Sequence, residues 1–161
     1  MERKTIRNNK VDNEELKQLI AEKWPGTVCL EGGEWPNIQV PPEQWHEMAL
    51  ALRDTDVFYF DYLFCLTCID WLKHLTMVYH LSSTRHRHNL VVKANLDRDS
   101  PAIDTVCDLW RTAEFHEREV YEMFGVRFVG HPDLRKLILP DDWEGYPLRK
   151  DYEDPVNMIK L

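Results

Sequence analysis

The sequence predicts an α+β fold, a mostly antiparallel sheet covered by helices, followed by an extended irregular tail. Apolar residues recur at helical steps of three and four near both ends of the first 125 residues. Between these stretches they alternate with a period of two, as in strands. The stretch 130–155 holds four prolines and two glycines, too many for a regular element. We therefore predict a globular domain over residues 1–125 and a C-terminal arm over residues 126–161.

The first predicted elements are a helix and a hairpin. Residues 11–24 have helical spacing, Asp12 and Glu15 stand near the positions of a capping box, and a Pro-Gly pair ends the helix. Two short apolar runs then flank Gly32 and Gly33, which is the pattern of a β-hairpin.

A second helix and three strands follow. Two consecutive prolines open the helix, and its apolar face consists of Trp45, Met48, Ala49 and Leu52. Each strand is predicted to bury alternate residues. These residues are Phe58, Phe60, Tyr62, Phe64, Leu66 and Cys68 in the first strand, Leu75, Met77, Tyr79 and Leu81 in the second, and Leu90, Val92, Ala94 and Leu96 in the third. Because the connections are short, we expect an antiparallel meander with helices over one face.

The last predicted helix begins at Ser100, with a proline at its first position. A break near Thr112 would leave that residue to cap a second piece, and Gly125 has the residue type of a C-cap. The apolar stripe of this helix consists of Ile103, Val106, Trp110, Ala113, Val120 and Phe124.

Glu117 interrupts that stripe where a hydrophobic residue is expected. A buried carboxylate needs a partner, because an isolated buried charge is costly or shifts its pKa. Two interpretations stay open. Either Glu117 lies in water at the edge of the stripe, or it pairs with an arginine of the C-terminal arm or of another protein.

Composition and charge exclude several classes of protein. The net charge of −8 disfavours nucleic acid as a partner, because phosphate contacts need a basic surface. The basic stretch RHRH at residues 85–88 is a contrary signal, and we assign it to a hairpin turn. No run approaches the roughly 18 apolar residues of a membrane span. The polar N-terminus is unlike a targeting peptide, so we expect a cytosolic protein with reduced thiols at its four cysteines.

Motifs that carry chemistry are weak or missing. Cys65 and Cys68 form a CxxC motif, which raises the alternatives of a redox dithiol and half of a zinc site. Residues three apart in a strand face opposite sides, so we favour two separate core thiols. The two HE pairs lack the second histidine of HExxH. Phosphate loops, dinucleotide fingerprints, nucleophile elbows and iron–sulfur cysteine sets are missing. The sequence therefore predicts no catalytic residue, cofactor or metal in this chain.

Three motifs in the last third of the chain carry a resemblance to a known family. They are EREVYEMFG at residues 117–125, GHPDLR at residues 130–135 and LPDDWEGYPLRKDY at residues 139–152. Upstream, Asp70 and the stretch YHLS at residues 79–82 fit the same pattern. The chain resembles the C-type or 30-kDa-type subunit of the proton-pumping NADH:quinone oxidoreductase, respiratory complex I.

The resemblance implies a non-catalytic structural and assembly subunit in the peripheral arm of that complex. It implies a position on the cytoplasmic side of the membrane, beside the subunit that helps to frame the quinone site, and no cofactor. The complex would transfer electrons to quinone and translocate protons. The alternatives are the same module in a membrane-bound hydrogenase-like complex, and a thiol-redox enzyme that uses Cys65 and Cys68, which lie outside the signature.

We expect the apolar residues of the C-terminal arm to pack on neighbouring subunits, since a disordered tail would not hold so many. The alternative is that the arm folds back and seals its own domain. The predicted interface residues are Glu117, Arg118, Glu119, His131, Asp133, Arg135, Trp143, Tyr146, Arg149, Lys150 and Tyr152.

Overall fold

A five-stranded mixed sheet forms the centre of the molecule in a computed structural model that describes residues 12–154. Its strands are β1 Val28–Leu30, β2 Asn37–Val40, β3 Tyr62–Asp70, β4 His74–Ser82 and β5 Asn89–Asp97. β1 and β2 form an antiparallel hairpin, and β3, β4 and β5 form an antiparallel meander. β2 joins the two groups by pairing in parallel with β5. The predicted α+β class, the hairpin and the meander are confirmed.

Two helices precede the meander, α1 over Asn13–Lys23 and α2 over Trp45–Asp54. The Asp12 carboxylate accepts the N–H of Glu15 at 2.8 Å, so Asp12 caps α1. Residue 11, where this helix was predicted to begin, lies outside the described residues. The predicted apolar face of α2 is fully buried against the sheet, as its helical spacing requires.

The hydrophobic core lies on the inner face of the sheet, beneath the helices. The predicted inward residues of β4 and β5 are all buried. β3 differs, because its pairing with β4 shifts register between Leu63 and Cys65 and leaves Phe64 as an extra residue. An extra residue changes which side chains face inward. Leu63 is therefore buried and Tyr62 exposed, and the prediction that Tyr62 and Phe64 face the core is wrong.

The helix predicted from Ser100 is wrong in its first half. That region contains β6, Ala102–Asp104, which pairs in parallel with β7, Arg127–Val129. Ser100 does not cap a helix, because its N–H and hydroxyl both donate to the Asp97 carboxylate. Ile103, Val106 and Trp110 are nevertheless buried. A buried strand followed by turns therefore produces the same spacing of three and four that we attributed to a helix.

The second half of that prediction is confirmed as helix α3, Ala113–Phe124. It starts after Thr112, whose hydroxyl donates to the Leu63 carbonyl oxygen instead of capping the helix. It ends at Gly125, which has a left-handed φ of 75° as a C-cap requires.

β7 falls within the range that the sequence assigned to the C-terminal arm. After it, residues 130–154 form turns and bends without a helix or strand, and we call these residues the anchored segment. No helix within residues 12–154 is long and apolar enough to cross a membrane.

Candidate functional site

The anchored segment lies against α3, and Arg118 holds the first part of its backbone. The guanidinium donates from Nε to the Arg135 carbonyl oxygen at 3.1 Å and from Nη2 to the Lys136 carbonyl oxygen at 3.0 Å. The side chain is buried. Because the guanidinium is a rigid planar fork, it fixes two successive peptide groups at once.

Glu122, one turn further along α3, holds the next three residues. Its buried carboxylate accepts the N–H groups of Leu137, Ile138 and Leu139 at 2.9 to 3.1 Å. A turn without secondary structure leaves such donors unpaired, and the carboxylate supplies charge-assisted acceptors for all three. Sequence reasoning did not select Glu122. Its spacing of four from Arg118 was the available signal, since it places both residues on one helix face.

The C-terminus of α3 is closed by the anchored segment. Arg149 donates from Nε to the Phe124 carbonyl oxygen at 2.8 Å, and this satisfies one of the acceptors that a helix end leaves free. The ring of Tyr146 lies against Gly125, where an added Cβ would come within 2.5 Å of a ring carbon. Arg149 also stacks over Tyr146, with 4.7 Å between the guanidinium and the ring centroid. Only glycine fits beneath this ring.

The C-terminal end of the anchored segment is hydrogen-bonded to Asp70, the last residue of β3. The buried Asp70 carboxylate accepts Nε and Nη2 of Arg98 at 3.0 and 2.9 Å, and it accepts the Lys150 N–H at 2.9 Å. Arg98 also donates to the Asp151 carboxylate at 2.6 Å. The Arg98 guanidinium holds the pKa of Asp70 well below its usual range, although burial opposes this effect.

Glu117 is neither solvated nor paired with an arginine, so neither interpretation of it is confirmed. Its fully buried carboxylate accepts the Thr105 hydroxyl, the Val106 N–H at 2.8 Å and the Cys107 thiol at 3.2 Å. Burial raises the pKa of Glu117, and these three donors act in the opposite direction. The carboxylate joins α3 to the turn after β6 inside the domain.

Cys107, Glu117 and His131 bring three metal-binding residue types together, with their ligand atoms within 4.8 Å of one another. The chemistry of these donors fits a metal poorly. Burial raises the pKa of the Cys107 thiol to about 12, which disfavours the thiolate that a metal needs. His131 Nδ1 accepts the Asp133 N–H at 3.0 Å, so Nε2 carries the proton and donates to the Glu114 carbonyl oxygen at 3.1 Å. We assign this cluster to hydrogen bonding between α3 and the start of the anchored segment.

Several apolar side chains of the anchored segment are exposed, although its backbone is hydrogen-bonded to the domain. Leu134 packs on the core, but the exposed fractions of Ile138 and Leu148 are 67% and 54%. Leu137 and Tyr146 are also exposed. Water is a poor environment for this many clustered apolar side chains.

Trp143 adds an unused polar group to the same surface. Its indole Nε1 is buried and has no acceptor among residues 12–154. A cavity of about 210 Å³ lies beside the ring and is lined by Tyr121, Glu122, Lys136, Trp143, Gly145 and Tyr146. A buried donor normally finds an acceptor, so this unpaired group is an exception within the anchored segment.

The predicted interface residues fall into three groups. Glu117 and Arg118 are buried within the domain. The half-buried residues are His131, Trp143, Arg149 and Tyr152, and the exposed ones are Glu119, Asp133, Arg135, Tyr146 and Lys150. The structure adds Asp70, Arg98 and Glu122 as residues that position the segment.

The two cysteines of the CxxC motif do not form a reactive pair. Both are free thiols on β3, Cys68 buried and Cys65 half-buried. Burial raises the pKa of both thiols, that of Cys68 to about 12. A thiol of this kind is a poor nucleophile at neutral pH.

Comparison with known proteins gives one consistent family. The sequence model of the family described as respiratory-chain NADH dehydrogenase, 30 Kd subunit, matches residues 38–156. The C-type NADH-quinone oxidoreductase subunit of Moorella thermoacetica is 38% identical over 141 residues, which are 86% of this chain and 91% of that protein. The C-type subunit of Chloroherpeton thalassium is 42% identical over 69% of this chain and 47% of its own length.

A third relative is a longer protein. The C/D-type NADH-quinone oxidoreductase subunit of Phocaeicola vulgatus is 47% identical over 126 residues, or 77% of this chain and 24% of that protein. The chain thus spans about a quarter of this relative and about half of the Chloroherpeton one.

Two solved structures share the fold. One is a chain of an archaeal membrane-bound sulfane sulfur reductase, with a TM-score of 0.75 and 29% identity over 87% of this chain and 85% of that one. The other is a trypsin-resistant fragment of Nqo5, with a TM-score of 0.61 and 30% identity over 74% of this chain and 98% of the fragment.

Proposed function

The chain belongs to the family of the 30-kDa subunit of respiratory-chain NADH dehydrogenase, and from this premise we propose a non-catalytic structural and assembly role in a membrane-bound NADH:quinone oxidoreductase. In this role the chain is a peripheral-arm subunit on the cytoplasmic side of the membrane. It supports electron transfer to quinone coupled to proton translocation, and other subunits carry the redox groups.

The observation that carries the proposal is the arrangement of the anchored segment. Charged side chains of the domain, Arg118, Glu122 and Asp70, bind its backbone. Several of its apolar side chains, among them Ile138 and Leu148, are exposed. A segment that only sealed its own domain would turn these side chains inward, because burial of apolar surface is the main source of stability. The arrangement suits a surface that is completed by another subunit.

The residues of the surface are those that contribute most to protein interfaces. Trp, Tyr and Arg are enriched at such positions, and the segment presents Trp143, Tyr146 and Arg149 together with the exposed aliphatic residues.

We take the D part of the C/D-type relative to be the subunit that helps to frame the quinone site, and we assign this surface to it. The relative from Phocaeicola vulgatus supports the assignment, since its name joins a C part and a D part in one protein, of which this module is about a quarter. Fusion raises the concentration of each part near the other, and the exposed surface of the anchored segment is a suitable contact between them.

A membrane complex of another type is the second candidate. The chain of the sulfane sulfur reductase complex superposes over 87% of this chain with a TM-score of 0.75. The same module can therefore serve a complex with a different electron acceptor. The sequence relatives that are C-type subunits of NADH-quinone oxidoreductases favour the quinone-reducing complex.

Replacing Ile138 with Asp in the full chain tests the proposal. The change places a charge at an exposed position. Because the Ile138 N–H donates to Glu122, an unchanged melting curve of the variant must accompany the assembly assay. We expect the variant to lose association by about 2 kcal/mol, the usual range for an interface anchor, and to be depleted from the complex purified from native membranes. Val28→Asp, at a similarly exposed position on β1, is the control and should assemble normally.

The composition and activity of the purified complex separate the two candidates. Quinone reduction by NADH in the preparation supports the first, and sulfane sulfur reduction supports the second. If Ile138→Asp assembles as well as the control, the interface role is contradicted.

A further inference from the structure

The five-stranded sheet has a second face, opposite the hydrophobic core, which we call the outer face. The buried apolar residues of all three helices belong to the core on the inner face. Within residues 12–154, therefore, no helix covers the outer face. Because successive strand residues point to opposite faces, the strand register places on the outer face Ile69 of β3, Thr76 and Val78 of β4, and Lys93 and Asn95 of β5.

A recess of about 190 Å³ lies on this outer face, and its apolar walls are Leu30, Ile69 and Trp71. The exposed fractions of Trp71 and Ile69 are 52% and 36%, so both side chains are open to a ligand. Pockets that enclose cofactors or drug-sized molecules have roughly 300–1,000 Å³. The recess therefore has the size for one or two side chains and not for a molecule of that kind.

The polar groups of the recess offer hydrogen-bond donors beside these walls. The Thr76 hydroxyl donates to Oδ1 of Asn95 at 2.8 Å, which leaves the amide N–H groups of Asn95 for another acceptor. Lys93 also lines the recess and adds an ammonium group, and its neighbour in β2 is Gln39. A carboxylate is the acceptor that suits an ammonium and an amide N–H together.

Lys93 has no counter-charge of its own. The chain contains 28 acidic residues, yet none within residues 12–154 forms a salt bridge with this half-buried lysine. The carboxylate of Asp97, at the end of the same strand, accepts the N–H groups of Asp99 and Ser100 at 2.9 Å. The ammonium is therefore available to a carboxylate from another molecule.

We propose that the recess binds an acidic side chain of a segment from another protein, with the carboxylate on Lys93 and Asn95 and a neighbouring apolar side chain against Trp71 and Ile69. Charge complementarity is the argument for this occupant. The inference goes beyond the proposed function, because no residue of the anchored segment lines the recess.

The surroundings of the recess favour a protein segment over a small free acid. Val28 is 57% exposed and lies opposite Gln39 in the sheet. Val91, two residues before Lys93 on the same face, is half-buried. The apolar surface thus continues past the recess, and an extended segment covers it whereas a small acid does not. An ion pair at such a site gives orientation more than affinity, so binding of a short segment should be weak.

An NMR titration of the isotope-labelled full chain tests the inference with two probe peptides. One is acetyl-Leu-Glu-Leu-amide, and the other is the neutral acetyl-Leu-Gln-Leu-amide. We expect the Glu peptide, at millimolar concentration, to shift the Lys93 and Asn95 amides and the Trp71 indole N–H in a saturable way. The Gln peptide should bind about fivefold more weakly, which is the contribution of a partly screened ion pair.

Three variants locate the effect. Lys93→Gln should remove the difference between the two peptides. Asn95→Asp places a carboxylate next to Lys93 at an exposed position and should have the same result. Lys73→Gln is the control, because Lys73 is exposed in the β3–β4 turn but does not line the recess, and it should preserve the difference. Melting curves of all three variants should match that of the unchanged chain.

Several outcomes overturn the inference. They are the lack of binding by either peptide, equal binding of the two, and equal effects of Lys93→Gln and Lys73→Gln. Acetate that produces the same shifts with the same affinity assigns the recess to a small acid. Shifts of these amides that depend on protein concentration without peptide assign the outer face to a second copy of the chain. The proposed function is unaffected by each result, since its test concerns the anchored segment.

Discussion

The domain and the anchored segment are held in place by opposite means. In the domain, the inner face of the sheet and the helices over it bury a continuous set of apolar side chains. In the anchored segment, backbone groups bind to Arg118, Glu122 and Asp70, and several large apolar side chains are exposed. The domain is thus stable through burial, whereas the segment has its shape fixed by hydrogen bonds.

The difference shows how a chain can present apolar surface in a defined shape. Hydrogen bonds to buried charged groups are directional and stronger than neutral ones. They order the segment before it meets a partner, so less conformational entropy is lost on association than with a disordered arm. The apolar side chains are then available for the interface.

The largest effect should come from the core of the domain. Leu75→Ala removes a fully buried side chain of β4 and should lower the free energy of unfolding by about 3 kcal/mol. Ile138→Ala, in the exposed part of the segment, should change it by less than about 0.5 kcal/mol. Denaturant melts of the isolated protein measure both. Similar losses of unfolding free energy in the two variants would contradict the claim that the domain and the segment are stabilised by different means.

A buried carboxylate of the domain should give the next largest effect. Glu117→Gln keeps the shape of the side chain but turns an acceptor towards Thr105, Val106 or Cys107 into a donor. One of these buried donors then lacks a partner, which costs about 2 kcal/mol. The exposed Glu119 on the same helix provides the control, since Glu119→Gln should be neutral. Equal melts for the two variants would show that the hydrogen bonds of Glu117 are unimportant.

Glu122→Gln should affect the segment more than the domain. The neutral amide accepts the three N–H groups of residues 137–139 less strongly, and the loss should be about 1 kcal/mol. Because the segment can open without the sheet, hydrogen exchange at Leu137, Ile138 and Leu139 should accelerate several-fold. Exchange in β4 should stay unchanged. Acceleration throughout the sheet would instead make the segment part of the domain's cooperative unit.

The smallest effect is a pH dependence that differs between the regions. The folded-state pKa of Asp70 is depressed by Arg98, so its contribution to stability is present above its unfolded pKa of about 3.9 and is lost as the pH falls through the folded value. The folded-state pKa of Glu117 is raised by burial. Its contribution is full below its unfolded pKa of about 4.3 and decreases as the pH rises through the folded value.

Acid should therefore weaken the contact between Asp70 and the end of the segment, whereas the contribution of Glu117 inside the domain should not decrease. The Lys150 amide, observed by NMR, should keep its position as the pH falls through about 4, because Asp70 stays ionised in the folded protein, and should shift only at lower pH. Asp70→Asn should remove that shift. A midpoint near neutral pH, or a shift that persists in the variant, would assign the change to another group.

The sequence predicted the domain better than the anchors. Period-two alternation identified β4 and β5, because a sheet with one buried face has that pattern. The stripe through Ile103 and Trp110 led to a wrong helix prediction, because buried residues also recur at steps of three and four in a strand followed by turns. The bulge at Phe64 had no residue signal, because a bulge is defined by the pairing of two strands.

The anchors could not be derived from local patterns. Asp70 and Lys150 are 80 positions apart in the chain, and no periodicity relates them. Glu117 shows the same limit. Its place in the apolar stripe indicated that it is unusual, but its partners come from a turn that was predicted as helix. The motifs of the resemblance contained several of these residues without saying which atoms they bind.

The most direct test of the central claim is removal of the segment. Truncation after Gly130 keeps every strand and helix described within residues 12–154 but removes the outward apolar side chains and their backbone. We predict that the remaining domain unfolds cooperatively at a lower temperature, because Arg118, Glu122 and Asp70 lose partners, and that it is not incorporated into the complex. A truncated chain that assembles and supports quinone reduction at the normal rate would contradict the account.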